Sequence, residues 1–76
     1  MTKDKCISMF QMEIFTAYID KNKITNKEAV KIFDKNDLWN YINNVYELIE
    51  GLPMNEVLKD VNKVIKNGGY KKNAKF

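Results

Sequence analysis

Residues 9–19 read MFQMEIFTAYI, and the spacing of their apolar side chains decides the fold. The spacing predicts a helix over about residues 4–21. Projected at helical period, Cys6, Ile7, Phe10, Ile14, Ala17 and Tyr18 form one apolar stripe. Met12, Phe15 and Ile19, with small Ser8 among them, form a second. Only Gln11 and the frayed helix end at Asn22 separate the two stripes. The polar arc is narrow, holding Glu13, Thr16 and Asp20 with Met9 intruding. A helix with so much apolar surface needs neighbours on several sides, so the rest of the chain must supply them.

Three further helices read out downstream, without strand alternation or internal repeat. In ITNKEAVKIF, residues 24–33, Thr25 can cap a helix and Glu28 can reach back to close a capping box. Ile24 and Ala29 stand at the positions of a hydrophobic staple, and Ala29, Val30, Ile32 and Phe33 form the expected buried side. This helix spans about residues 26–35, after which DKND breaks the pattern and offers Asn36 or Asp37 as the next cap. The third helix, about 38–50, has an apolar half of Leu38, Trp39, Tyr41, Ile42, Val45, Tyr46, Leu48 and Ile49. Gly51 and Pro53 end it. The fourth, about 54–67, places Met54, Val57, Leu58, Val61, Val64 and Ile65 opposite Lys59, Lys63 and Lys66. Asn67, Gly68 and Gly69 stop it, leaving residues 70–76 as a loose basic tail. The expected fold is an all-α, compact bundle of four short helices within one domain, residues 1–69.

Seventy-six residues hold one small core, so every apolar face bears on stability. A hydrophobic content of 45% against 30% charged residues excludes a disordered chain. No apolar run approaches the roughly 20 residues that span a bilayer. The N-terminal MTKDKCISMFQ lacks the apolar core of a secretory signal, and a cytoplasmic protein with no membrane partner is expected.

The residues that usually carry chemistry are scarce. Histidine is absent and Cys6 is the single cysteine, so zinc, haem and iron–sulfur sites have no ligand set and no intrachain disulfide can form. The carboxylates are not concentrated as a calcium loop requires. Cys6 has no histidine to activate it and falls on the main apolar stripe, which marks a structural thiol. Glycine-rich phosphate loops are missing as well. A non-catalytic protein without cofactor is the expectation.

Charge divides along the chain. Residues 1–50 carry seven lysines and eight carboxylates, whereas residues 51–76 carry six lysines against Glu56 and Asp60. The lysines Lys59, Lys63, Lys66, Lys71, Lys72 and Lys75 could together bind nucleic acid through phosphates. Two facts place this reading second. Lysines opposite an apolar face are what any soluble helix carries, and arginine, the better bidentate donor, is absent. A helix-turn-helix over residues 26–50 is weaker still, because its second helix holds Glu47 and Glu50 and no cation.

The order of landmarks resembles a small bacterial family known as a domain of unknown function. The matching residues are Lys27, Glu28, Ala29 and Phe33; Tyr41 and Ile42; Tyr46, Leu48 and Ile49; and Asp60, Val61, Val64 and Ile65. The resemblance covers about residues 9–66. Such proteins commonly carry a His-Thr pair after the Y-x-L-L step, where this chain has Glu50, Gly51 and Pro53. No role tied to that histidine carries over. The resemblance implies a short helical protein encoded beside toxin-like proteins, some similar to ADP-ribosyltransferases, and hence an antitoxin-like or accessory partner.

Two readings of the second stripe stand. Either the first helix is central and embraced by the other three, or Met12, Phe15 and Ile19 form a protein-binding surface with Trp39 and Tyr41 as anchors. Self-association through that surface is a variant of the second reading.

Overall fold

The computed structural model describes residues 3–70, with side chains from Lys5 onward. Four helices form: α1 (Lys3–Asn22), α2 (Asn26–Lys35), α3 (Leu38–Ile49) and α4 (Met54–Lys66), with no strand among the described residues. The observed boundaries fall within one residue of those expected, and the fold is the all-α bundle. α1 packs on each of the other three helices, and α2 also packs on α3. No described helix is long and apolar enough to cross a membrane.

The two stripes of α1 turn out to be one broad face. At about 100° per residue, the buried Ile7, Ile14, Tyr18 and Phe15 span a single arc, and Gln11 falls inside it. A lone amide there would be costly, since an unsatisfied buried donor loses about 1–3 kcal/mol. Gln11 instead donates its Nε2 to the carbonyl of Trp39 at 2.8 Å, tying α1 to α3.

The largest fully buried side chains are Ile14, Phe33, Leu38, Ile42, Val57 and Val61. Each contributes about 1.5–3 kcal/mol through removal from water. Phe33 is the hub of an aromatic cluster. Its ring lies 5.2 Å from Phe15, 5.5 Å from Tyr18 and 4.9 Å from Trp39. The first two contacts are edge-to-face, an arrangement that favours aromatic pairs by about 0.5–1.5 kcal/mol beyond area.

The junctions explain why the helices stop where they do. Lys23 adopts a left-handed φ of 53° after α1, and the Ile24 N–H reaches back to the Ile19 carbonyl at 3.4 Å. Thr25 then opens α2 with both bonds of the expected capping box. The Glu28 N–H donates to Thr25 Oγ1 at 3.1 Å, and the Thr25 N–H donates to Glu28 Oε1 at 3.0 Å.

Between α2 and α3 the expected side-chain cap does not form. Asp37 stands at the cap position with a left-handed φ of 55° and makes no capping bond from its side chain. Asn36 does not cap α3 either, because it continues the buried line of Ala29 and Phe33 at helical spacing. Only 7% exposed, it donates its Nδ2 to the Ile32 carbonyl at 2.8 Å.

Two apolar residues leave the core. Val30, expected on the buried side of α2, is exposed because it lies about 80° round the helix from the Ala29–Phe33 line. Leu48 sits about 90° from the line of Leu38, Ile42, Val45 and Ile49 and is 78% exposed.

α4 ends in a Schellman motif. Gly68, with φ 94°, donates to the Ile65 carbonyl at 3.0 Å, and Gly69, with φ 99°, donates to the Val64 carbonyl at 2.8 Å. The reversal brings Tyr70, grouped with the tail on sequence, onto the bundle. Its N–H donates to the Asn36 carbonyl at 2.8 Å, its ring meets Tyr41 edge-to-face at 5.5 Å, and its hydroxyl accepts from Asn44 Nδ2 at 3.1 Å. The rest of the expected tail, including Lys71, Lys72 and Lys75, lies outside the described residues.

Candidate functional site

Among the described residues, one long arc of α1 is uncovered, and a groove runs along it. Toward its C-terminal end Met12, Glu13, Thr16, Ala17 and Asp20 face Met54 at the start of α4 across an open volume of about 600 Å³. Toward the N-terminal end Cys6, Met9, Phe10 and Glu13 face Tyr46 and Glu50 at the end of α3 across about 250 Å³. Glu13 lines both cavities, and the two, together termed the groove, follow α1 from Cys6 to Asp20.

The helical period brings these residues together. Positions 9, 12, 13, 16 and 20 share one side of α1, opposite the buried arc. Met9 and Met12 stand there 52% and 55% exposed, although a polar residue would cost nothing in water. The α3–α4 connection is short, with the Leu52 N–H donating to the Ile49 carbonyl at 3.0 Å, and it delivers Met54 to the far wall. Three carboxylates, Glu13, Asp20 and Glu50, line the groove, and no lysine does among the described residues.

Tyr46 closes the N-terminal section, packed edge-to-face on Phe10 at 5.4 Å. Desolvation raises its phenol above the ordinary range, with Glu50 and then Cys6 adding to the effect. It is therefore a neutral hydroxyl at physiological pH, suited to hydrogen bonding and not to ionisation. Cys6 is a free, half-buried thiol. Since the chain has no histidine, no thiol–imidazole pair can be built around it. No group of three metal-ligating side chains gathers among the described residues. The groove offers contact surface and negative charge.

The five residues proposed from sequence as a protein-binding surface do not stay together. Met12 is exposed and lines the groove. Phe15 is 8% exposed and belongs to the core, against Phe33 and Trp39, so it presents no side chain to a partner. Trp39 is half-buried in the same aromatic cluster, and Ile19 is half-buried against the core. Tyr41 holds Tyr70, and its phenol is raised by desolvation, then by Asp60 and Tyr70. The hydrophobic pattern located these side chains on helices correctly, but it could not tell which neighbour would claim them.

The groove residues that sequence reading passed over, Glu13, Asp20, Met9 and Met54, were assigned to a solvated arc or to the core. The usable signal was Met9 beside Met12 on the side that also carries Glu13, Thr16 and Asp20. On α4, Lys59, Lys63 and Lys66 are exposed, but Lys59 pairs with Glu56 at 3.5 Å and Asp60 lies next to it in sequence. That face is a mixed-charge solvent surface.

No curated protein and no solved structure matches the chain significantly. The family described as a protein of unknown function (DUF3791) matches residues 9–68, which takes in the last two-thirds of α1, all of α2, α3 and α4, and most of the groove. The chain belongs to the DUF3791 family.

Proposed function

We propose that this protein is a non-catalytic binding module that docks a partner polypeptide along the exposed face of α1. The observation that carries the reading is the placement of Met9 and Met12 in water, with Met12 across from Met54, on cavities that together follow most of the length of the central helix. Exposed methionine is a costly surface residue and a useful contact residue, because its unbranched thioether adapts to the shape it meets. The absence of histidine from the sequence supports a role without chemistry of its own.

The genomic setting implied by the family resemblance narrows the kind of partner. In this reading the protein acts in the cytoplasm as an antitoxin-like or accessory subunit, covering a functional surface of a toxin-like protein encoded beside it. Masking needs only a rigid face with adaptable contacts, which α1 supplies.

Co-expression with the product of the adjacent gene, followed by affinity capture and light scattering, tests this directly. A stable complex that is lost on Met12→Glu, with helix content retained, is the expected result. A monomer that fails to capture that product overturns the masking role.

A further inference from the structure

We infer that the occupant of the α1 groove is a basic amphipathic helix, with lysine or arginine set beside Glu13, Asp20 and Glu50 and apolar side chains laid on Met9, Met12 and Met54. The inference rests on the docking reading and specifies the chemistry of the partner.

Charge complementarity is the first argument. The chain as a whole is cationic, with a formal charge of +3, and would repel a basic partner at long range. Locally the sign is reversed, because among the described residues three carboxylates and no lysine line the groove. The exposed lysines of α4 lie on its solvent face, away from the Met54 end that meets α1. Carboxylates interleaved with methionines favour a partner that offers cations and apolar groups at similar spacing.

The shape of the vacancy is the second argument. α1 has a packed neighbour in each of α2, α3 and α4, and the groove is the place alongside it where another helix would lie. From Cys6 to Asp20 the floor follows about four turns of α1, or roughly 21 Å. A partner helix of similar length, with apolar residues at i, i+3, i+4 and i+7, would reach Met9, Met12 and Met54 together. An extended strand would find no sheet edge to pair with among the described residues.

Two 16-residue peptides with the same leucine positions provide the test, one with lysine and the other with glutamate at every polar site. Each is titrated into the full-length, isotope-labelled protein at low and at physiological salt. The basic peptide is expected to bind and to shift the amides of Met9, Met12, Glu13, Asp20 and Glu50, with weaker binding at higher salt. The double variant Glu13→Lys with Asp20→Lys, whose sites are exposed, should keep its helical circular dichroism. It should bind the basic peptide about tenfold or more weakly and gain affinity for the acidic one.

Equal binding of both peptides in the groove would overturn the basic partner and leave the docking reading in place. No binding by either peptide would overturn both. Concentration-dependent self-association that disappears in the double variant would assign the groove to a second copy of the chain and likewise overturn the inference.

Discussion

Replacing Gly69 by alanine should destabilise this protein more than its distance from the core suggests. The residue has φ 99°, where an L side chain is strained by about 1–2 kcal/mol. A Cβ at this site would stand 3.0 Å from both Asn36 Cα and Asn36 Oδ1, and 3.3 Å from the Asn36 carbonyl oxygen. Backbone cannot swing aside as a side-chain tip does, so the turn must lift off α2. Lifting it weakens the 2.8 Å bond from the Tyr70 N–H to the Asn36 carbonyl, worth about 0.5–1.5 kcal/mol. It also loosens the Tyr41–Tyr70 ring contact, worth a similar amount. These terms overlap, and the expected loss is about 2–4 kcal/mol. A chain of this length has roughly 4–11 kcal/mol in total, so the melting temperature should fall by about 10–25 °C.

Gly51→Ala is the matched control. Nothing lies within 4 Å of its added Cβ, and its φ is not positive. Alanine there restricts the unfolded chain and should leave stability unchanged or raise it by up to about 1 kcal/mol. Thermal unfolding followed by far-ultraviolet circular dichroism measures both variants. A Gly69→Ala protein melting within about 3 °C of the parent would refute the account, since it would mean that the turn is not clamped on Asn36.

Thr25→Ala removes one half of the capping box and should cost about 1 kcal/mol in urea unfolding; an unchanged midpoint would show that the cap contributes nothing. Phe15→Glu should abolish cooperative unfolding, because it places a charge among Phe33 and Trp39, whereas Met12→Glu, three residues away, should shift stability by less than about 0.5 kcal/mol. Equal tolerance of the two would contradict the assignment of one to the core and the other to the groove. Burial raises the phenols of Tyr18 and Tyr41 above the ordinary 10.0. Their contribution to stability is therefore complete below pH 10, where both folded and unfolded chains are protonated. It is lost as pH climbs from there through the folded values, because the unfolded chain releases its protons first. Tyr41→Phe should flatten the alkaline decline in urea midpoint, and an identical slope would sink the assignment.

The helices were legible in the sequence because their signals are local. The capping box at Thr25 and Glu28, the double glycine after Lys66 and the period of Val57, Leu58 and Val61 each need only neighbouring residues. What the sequence left open depended on partners distant in the chain. Gln11 looked like a divider between two stripes, and only the Trp39 carbonyl, 28 positions away, lets it sit half-buried within the packed face. Asn36 looked like a cap for α3 because asparagine just before a helix often is one. Its burial follows from Gly69 and Tyr70 closing over it from beyond α4. Phe15 and Met12 appeared equivalent on the second stripe, yet Phe15 faces Phe33 and Trp39 while Met12 faces solvent. Periodicity assigns a side chain to an angle on its helix; what stands at that angle is a tertiary fact.

The open face of α1 also follows from how few helices the chain has. A helix surrounded on all sides needs about six neighbours at the 8–10 Å spacing of packed helices. Among the described residues α1 has three, each shorter than its own 20 residues. The molecule is accordingly flat, 33 × 31 × 20 Å, with part of the long helix left uncovered. Some arc of α1 had to meet water in any arrangement of these elements, so exposure alone carries no message about function. The residues on that arc do carry one. A face needed only for solubility could be filled with lysine and glutamate, as the outer side of α4 is with Lys59, Lys63, Lys66 and Glu56. Here methionine stands at two exposed positions, and the charges that line the groove among the described residues are carboxylates; solvation requires neither choice. The composition of the arc, set against its unavoidable exposure, is what separates a docking surface from a leftover one.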